Sequence, residues 1–178
     1  MEACAPATRL EIRRARRSEI GSILALLRQD SLSDPPEDGV AVPGHFAAFE
    51  AIDADPNHEL VVATLDGDIV GTLQLSFVPG LALGGAWRAQ IEGVRVRNDL
   101  RNLRIGTRLI EWVIARAKER GCRTVQLTSN RSRVDAQRFY ARLGFKASHV
   151  GMKLSLTQDS TSGTQNSNAS HAAPAQSA

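Results

Sequence analysis

Cysteine is almost missing from this chain. Cys4 and Cys122 are the only two, and two thiols do not make a disulfide framework. Aromatic residues are scarce at 4%, with a single tyrosine, Tyr140. The arginines are spread over strand-like and helix-like segments without interleaved aromatics, which argues against a nucleic-acid platform. No apolar run is long enough to span a membrane. The first residues, MEACAPATRLEIRR, lack the basic-then-apolar order of a signal peptide, so a cytoplasmic protein is expected. His45, His58, His149 and His171 show no metal-ligand spacing, and no metal site is expected. No GxxxxGK[ST] loop and no GxGxxG turn occurs, which argues against ATP-driven phosphoryl transfer and dinucleotide redox chemistry.

What is present suits one domain with a real core: 178 residues, 42% of them hydrophobic. The net charge of +3 hides a division. Residues 1–87 carry 6 basic and 13 acidic side chains, a net of −7; residues 88–146 carry 15 basic and 5 acidic, a net of +10. A basic half attracts an anion, either a nucleic acid or a polyanionic cofactor, or it is ordinary solvated surface.

The periodicities give an order of elements. Residues 9–17 read as a strand. Ser18 caps a helix with Ile20, Ile23, Leu24 and Leu27 on one face. Residues 29–44, with Pro35, Pro36, Gly39, Pro43 and Gly44, read as a loop. HFAAFEAI is a short helix ended by Pro56. Two strands follow around Asp66-Gly67, then a loop over residues 79–86 and the strand WRAQIEGVRVR. An amphipathic helix runs from Leu103 to Arg120, with Ile105, Leu109, Val113 and Ala117 inward and Gly121 as its stop. Cys122 closes that helix as a small buried residue. TVQLTS is a buried strand. Ser132 and Asp135 form a capping box for a helix with Ala136, Phe139, Tyr140 and Leu143 inward, closed by Gly144. FKASHV and GMKLSL are two final strands. The fold class is α/β, a single mixed sheet covered by helices. The domain spans 9–156, after a short extension (1–8) and before a low-complexity, disordered tail (157–178).

One strand contains a phase change. Trp87, Ala89 and Ile91 are apolar at odd positions, whereas Val94 and Val96 are apolar at even ones. A period of two reverses when one extra residue enters, which is a β-bulge, and Gly93 is the place for it. A bulge splays the strand from its neighbour and leaves backbone amides to find another partner. The partner is a ligand, or the strand is merely irregular beneath a loop. The following turn, LRNLRIGT, leads into a helix N-terminus. Its first N–H groups lack internal partners and carry about half a positive charge, which suits a phosphate. Arg101 and Arg104 add charge, and Gly106 admits a close approach.

These residues resemble the GNAT superfamily of acyl-CoA-dependent N-acetyltransferases. The family's [Q/R]-x-x-G-x-[G/A] turn is matched by Arg101, Asn102, Leu103, Arg104, Ile105 and Gly106, except that Arg104 replaces the first glycine. Its A-x-x-[FL]-Y-x-x-x-G-F helix is matched by Ala136, Phe139, Tyr140, Gly144 and Phe145. The Asn common just before that helix is displaced upstream, to Asn130. The resemblance implies a mostly antiparallel sheet with a central splayed strand pair, and acetyl-CoA as cosubstrate. It implies a cofactor site of Val94, Arg95, Val96, Arg101 to Thr107, Asn130 and Tyr140. The amide near Val94 faces the thioester oxygen, Tyr140 protonates the departing thiolate, and Glu92 takes the amine's proton through water. As alternatives, Glu92 is a surface carboxylate paired with an arginine, and Tyr140 is an amphipathic core ring.

Residues 29–59 hold eight acids and no Lys or Arg. They form either a mouth that attracts a cationic acceptor or solubilising loops. The ending DAQRFYARLGFKASH resembles acetyltransferases of aminoalkylphosphonates and aminoglycosides, and the acidic segment favours the polycation. The expected partner is a small-molecule amine, with a homodimer left open and neither nucleic acid nor membrane expected. The alternatives are a CoA-binding sensor or pseudoenzyme, and an acetyltransferase of protein N-termini or lysines.

Overall fold

The computed structural model describes residues 9–29, 40–154 and 156. The chain divides into two units, residues 1–146 and 147–178. The expected extension at 1–8, the tail from 157, Cys4, His171 and the acids of 30–39 lie outside the described residues.

In the first unit the elements run β1 (Leu10–Arg14), α1 (Ile20–Arg28), α2 (Pro43–Ala54), β2 (His58–Leu65), β3 (Asp68–Val78), a one-turn α3 (Ala82–Gly85), β4 (Trp87–Val96), α4 (Ile105–Glu119), β5 (Cys122–Leu127) and α5 (Val134–Arg142). Short 3-10 turns precede α1 (Arg17–Glu19) and α4 (Asn98–Leu103). The five strands lie in sequence order in one sheet. Every pairing is antiparallel except β4 with β5, which is parallel. The mixed, mostly antiparallel sheet read from the sequence is therefore the fold. The β2–β3 hairpin turns at Asp66 and Gly67, both at positive φ (51° and 95°), the conformation that a two-residue hairpin needs.

Alternation along the strands builds two cores, one on each face. Val61, Ala63, Leu73, Leu75, Phe77, Ala89 and Ile91 are buried against Ile105, Leu109, Ile110, Val113 and Ala117 of α4. On the other face Val62 meets Ala15, just after β1, with Ile20, Ile23 and Leu24 of α1 and Phe49 of α2. Across the larger core, Glu59 of β2 is 1% exposed. Its Oε1 accepts from Nε and Nη2 of Arg116 at 3.0 and 2.8 Å, which fastens the sheet to α4.

Several local expectations change. Ser18 lies within the 3-10 turn. The capping carboxylate is Glu19, which accepts from the Arg16 N–H at 2.8 Å and from Arg13 at 2.7 and 3.0 Å. Pro43 and Gly44 are helical, because proline's fixed φ and missing N–H are tolerated in a first turn. The region 79–86 contains the turn α3. Leu103 is an exposed residue of the 3-10 turn, and α4 begins two residues later. Cys122 starts β5, and that strand is half-buried and exposed by turns because it is the edge strand of the described sheet. The α5 residues expected inside are only half-buried.

Neither expected C-terminal strand is present among the described residues of 145–156. Val150, Met152, Leu154 and Leu156 alternate as a strand does, yet all four are exposed. Alternation gives a preference for strand; the ladder itself needs a neighbouring backbone.

Candidate active site

The bulge read from the phase change is in the structure. In the β3–β4 register Gln74 faces Glu92 and Thr72 faces Arg95, so Gly93 and Val94 together stand against Leu73. Gly93 has φ +61, which a side chain would strain. Its absent Cβ would lie 3.5 Å from Leu27 Cδ2, which brings the end of α1 to the bulge.

On its other edge β4 pairs with β5 only from Trp87 to Ile91, and the last pair is Ile91 with Leu127. From Glu92 to Val96, β4 keeps β3 alone. Among the described residues β5 is an edge strand, so the pair is not central as the resemblance implied, but β4 and β5 do part at the bulge. The amides beyond it face a gap that a ligand's carbonyl or amide groups can fill.

The turn after β4 closes that gap. Arg101, Asn102, Leu103 and Arg104 are exposed. Arg104 adopts the left-handed conformation (φ 59°, ψ 15°) at the N-cap of α4, the region where glycine carries no Cβ penalty. This gives a backbone reason for glycine at that place in the family's turn. The Arg108 N–H donates to the Arg104 carbonyl at 3.0 Å, so the helical ladder starts there and the amides of Ile105, Gly106 and Thr107 belong to the helix end. The Ile105 side chain is only 1% exposed, so its contribution to a ligand is limited to the backbone. At Gly106 a Cβ would stand 3.3 Å from the Phe139 ring and 3.7 Å from Val96 Cγ2. Glycine here lets α5 seat against α4, in addition to leaving room for an anion.

Tyr140 follows Phe139 on α5. Its ring makes edge contacts with Phe139 (5.2 Å between centroids) and Phe145 (5.7 Å), on the α4 side of the sheet. Burial pushes the Tyr140 hydroxyl above its ordinary pKa, and the positive charges of Arg133 and Arg95 pull it partly back. Arg95 is half-buried, and its Nη1 donates to the Val94 carbonyl at 2.9 Å. Glu92 is exposed. It lies on the α1/α2 face, because its neighbour Gln74 stands opposite Leu60, which packs against that smaller core. The two groups assigned to proton transfer therefore sit on opposite faces, next to the same opening.

Other assignments are displaced. The Ser132/Asp135 capping box does not form; the N-cap of α5 is Arg133, with no side-chain cap. Asn130 organises that turn instead. Its Oδ1 accepts from the Ser132 N–H and hydroxyl at 2.9 and 2.8 Å, which engages the oxygen, not the NH2 group, of the side chain expected at the cofactor. The acidic segment is largely neutralised among its described members. Glu50 pairs with Arg17 at 3.3 Å and Asp53 with Arg14 at 3.7 Å, Asp55 lies 3.7 Å from the His58 ring, a cation only when protonated, and Glu59 is buried on Arg116. Arg133 was not singled out in the sequence, and Leu27 and Phe139 were read there as inward-facing helix residues. Arg133 is one arginine among many, and the other two carry ordinary core signals.

Known proteins share this architecture. Residues 21–145 match the acetyltransferase (GNAT) family. An aminoalkylphosphonate N-acetyltransferase of Salmonella typhimurium is 32% identical over 108 residues, which are 61% of this chain and 70% of that relative. Among solved structures, a transcriptional regulator from Bacillus halodurans is 43% identical with a TM-score of 0.80, covering 83% of this chain and 100% of its own. An acetyltransferase of Trypanosoma brucei is 28% identical with a TM-score of 0.68, covering 83% and 100%. With the diverging β4–β5 pair, the turn into α4 and Tyr140 on α5, these matches assign the chain to the acetyltransferase (GNAT) family, and it is an N-acetyltransferase.

Proposed function

We propose that this protein transfers an acetyl group from acetyl-CoA to a primary amine of a small molecule, directly, in a ternary complex. The observation that carries the reading is the end of β4–β5 pairing at Ile91 and Leu127, one residue before the bulge and beside the α4 N-terminus. The β4 amides from Glu92 to Val96 suit the amide groups of the pantetheine arm. The amides of Ile105, Gly106 and Thr107, with Arg101 and Arg104, suit the pyrophosphate. Acetyl-CoA supplies the activated thioester.

The chain's own residues supply proton control and orientation. The amine must lose a proton before it attacks, since an alkylammonium has a pKa of about 10. Glu92, on the α1/α2 face, receives that proton through water. The amine nitrogen then forms the C–N bond and the C–S bond breaks. The Val94 amide stabilises the oxygen as charge gathers there. Tyr140, kept protonated by burial, gives its proton to the sulfur, and the nitrogen's second proton passes through water to the tyrosinate, which leaves a neutral amide, a free thiol and the tyrosine restored.

An acetyl-enzyme route through Cys122 is disfavoured by its place and its chemistry. Cys122 pairs with Trp87 at the other end of β4, and burial raises its thiol pKa, which makes a poorer nucleophile. Initial-rate kinetics with acetyl-CoA and a panel of amines, read by thiol release, test the proposal. Intersecting double-reciprocal lines are expected, and parallel lines would replace direct transfer with an acetyl-enzyme. The cytoplasmic location belongs to the same reading and is tested by fractionation of the tagged full chain.

A further inference from the structure

The face of the sheet that carries Glu92 has an unusual surface. Direct cross-strand neighbours point to the same side, and the register sets four polar residues in a row across four strands: His58 with Ser76, Ser76 with Gln90, and Gln90 with Gln126. The row is joined in pairs. Ser76 Oγ lies 2.8 Å from His58 Nδ1, and the Gln126 amide donates to Gln90 Oε1 at 2.7 Å. Two residues along each strand, Gln74 and Glu92 stand opposite each other on the same side. This is the face on which α1 and α2 cover Leu60 and Val62. The helices leave Gln126 and Glu92 exposed and Gln74 and Gln90 partly so. The row adjoins the gap that opens after Ile91.

We infer that this row of carboxamides is the floor on which the acceptor lies, and that it selects an amine bearing several hydroxyl groups, an amino polyol or amino sugar. The inference rests on the acetyltransferase reading above. Three observations support the class. A glutamine amide has two donors and two acceptor lone pairs, so the Gln90–Gln126 pair keeps groups of both kinds to offer after its mutual bond. Hydroxyls, being donors and acceptors at once, match such a surface; phosphonates match donors only, and alkyl chains match neither. The second observation is charge. Glu50 and Asp53 are each paired with an arginine, so the described acids of α2 offer no strong field for a polycation, and Glu92 remains on this face for one amine. The third is position. Gln90 is two residues before Glu92 on one strand, so a hydroxyl held at Gln90 places a nearby amino group toward Glu92 and the opening.

Competition among amines tests this. Glucosamine, cyclohexylamine, 2-aminoethylphosphonate and spermidine are acetylated with saturating acetyl-CoA, with thiol release measured and kcat/KM expressed per free amine. Glucosamine is expected to exceed ring-sized cyclohexylamine by tenfold or more. Gln126→Leu and Gln90→Leu should each reduce that ratio at least fivefold through the acceptor KM, while the KM for acetyl-CoA and the thermal midpoint stay where they are. Gln126→Ala, at an exposed position, repeats the test without added apolar bulk. Equal or better turnover of any of the other three amines overturns the inference, as does an unchanged ratio in the variants, and either result leaves the acetyltransferase reading standing. If no amine releases thiol from bound acetyl-CoA, both fall together.

Discussion

The two halves of β4 obey different rules. From Trp87 to Ile91 the strand is held on both edges, by β3 and by β5, and its apolar residues Ala89 and Ile91 are buried. From Glu92 to Val96 it is held on one edge, and none of its side chains is fully buried. The first half contributes to stability as any central strand does. The second gives up backbone hydrogen bonds, each worth a net of about 1 kcal/mol, at a place where a ligand can restore them. One glycine separates the two regimes.

Deleting Gly93 is the strongest test of that contrast. It returns Ile91, Val94 and Val96 to one phase, so β4 can pair with β5 along its whole length. The variant should fold, and its affinity for acetyl-CoA by calorimetry should fall at least a hundredfold, about 2.7 kcal/mol. Retained affinity would separate the opening from the bulge. Tyr140→Phe probes the chemistry beside the opening. We expect kcat to fall by roughly a hundredfold with little change in the acetyl-CoA KM. A general acid acts while protonated, so the alkaline fall of wild-type kcat should come as pH rises through the Tyr140 pKa. Burial places that limb above the usual phenol value of about 10, and Phe should abolish it. Full kcat in Phe at every pH would return the tyrosine to a core role.

A smaller effect is expected at the turn. Gly106→Asp puts a Cβ 3.3 Å from Phe139 and a negative charge at the helix end. Acetyl-CoA affinity should fall tenfold or more, about 1.4 kcal/mol. Gly106→Ala separates the two causes, since it keeps the crowding without the charge. The smallest effect concerns Arg104. Replacing a left-handed non-glycine by glycine relieves about 1 kcal/mol of strain, so Arg104→Gly should raise the denaturation midpoint slightly. Weaker acetyl-CoA binding in the same variant, lost at high salt in the wild type, would show the arginine on a phosphate.

The sequence showed most of what local rules control. Alternation, helical spacing and the Asp66-Gly67 turn located all five strands and the helices α1, α2, α4 and α5, and the phase change at Gly93 located the bulge within a residue. What stayed hidden depends on distant partners. That Asp53 meets Arg14 and Glu50 meets Arg17 follows from how α2 lies beside β1 and α1, so the sequence could not choose between a charged mouth and solubilising loops. Ser132 and Asp135 have capping-box spacing, but Asn130 reaches the Ser132 amide first. The alternation in FKASHV and GMKLSL was legible, and a pattern cannot say whether a neighbour is there to pair with. The Gln row was equally invisible, because it is contiguous only across strands.

One hydrogen bond links the two sides of the opening. The Asn98 N–H, at the start of the turn into α4, donates to Gln29 Oε1 at the end of α1, at 3.2 Å. The end of α1 borders the face assigned to the acceptor, and the turn borders the pyrophosphate. A shift in α1 when one substrate docks would therefore be felt where the other binds. Linkage makes such an influence mutual: whatever factor the donor applies to acceptor affinity, the acceptor applies to the donor's. Gln29→Ala would then bring that mutual factor closer to one while leaving both sites intact.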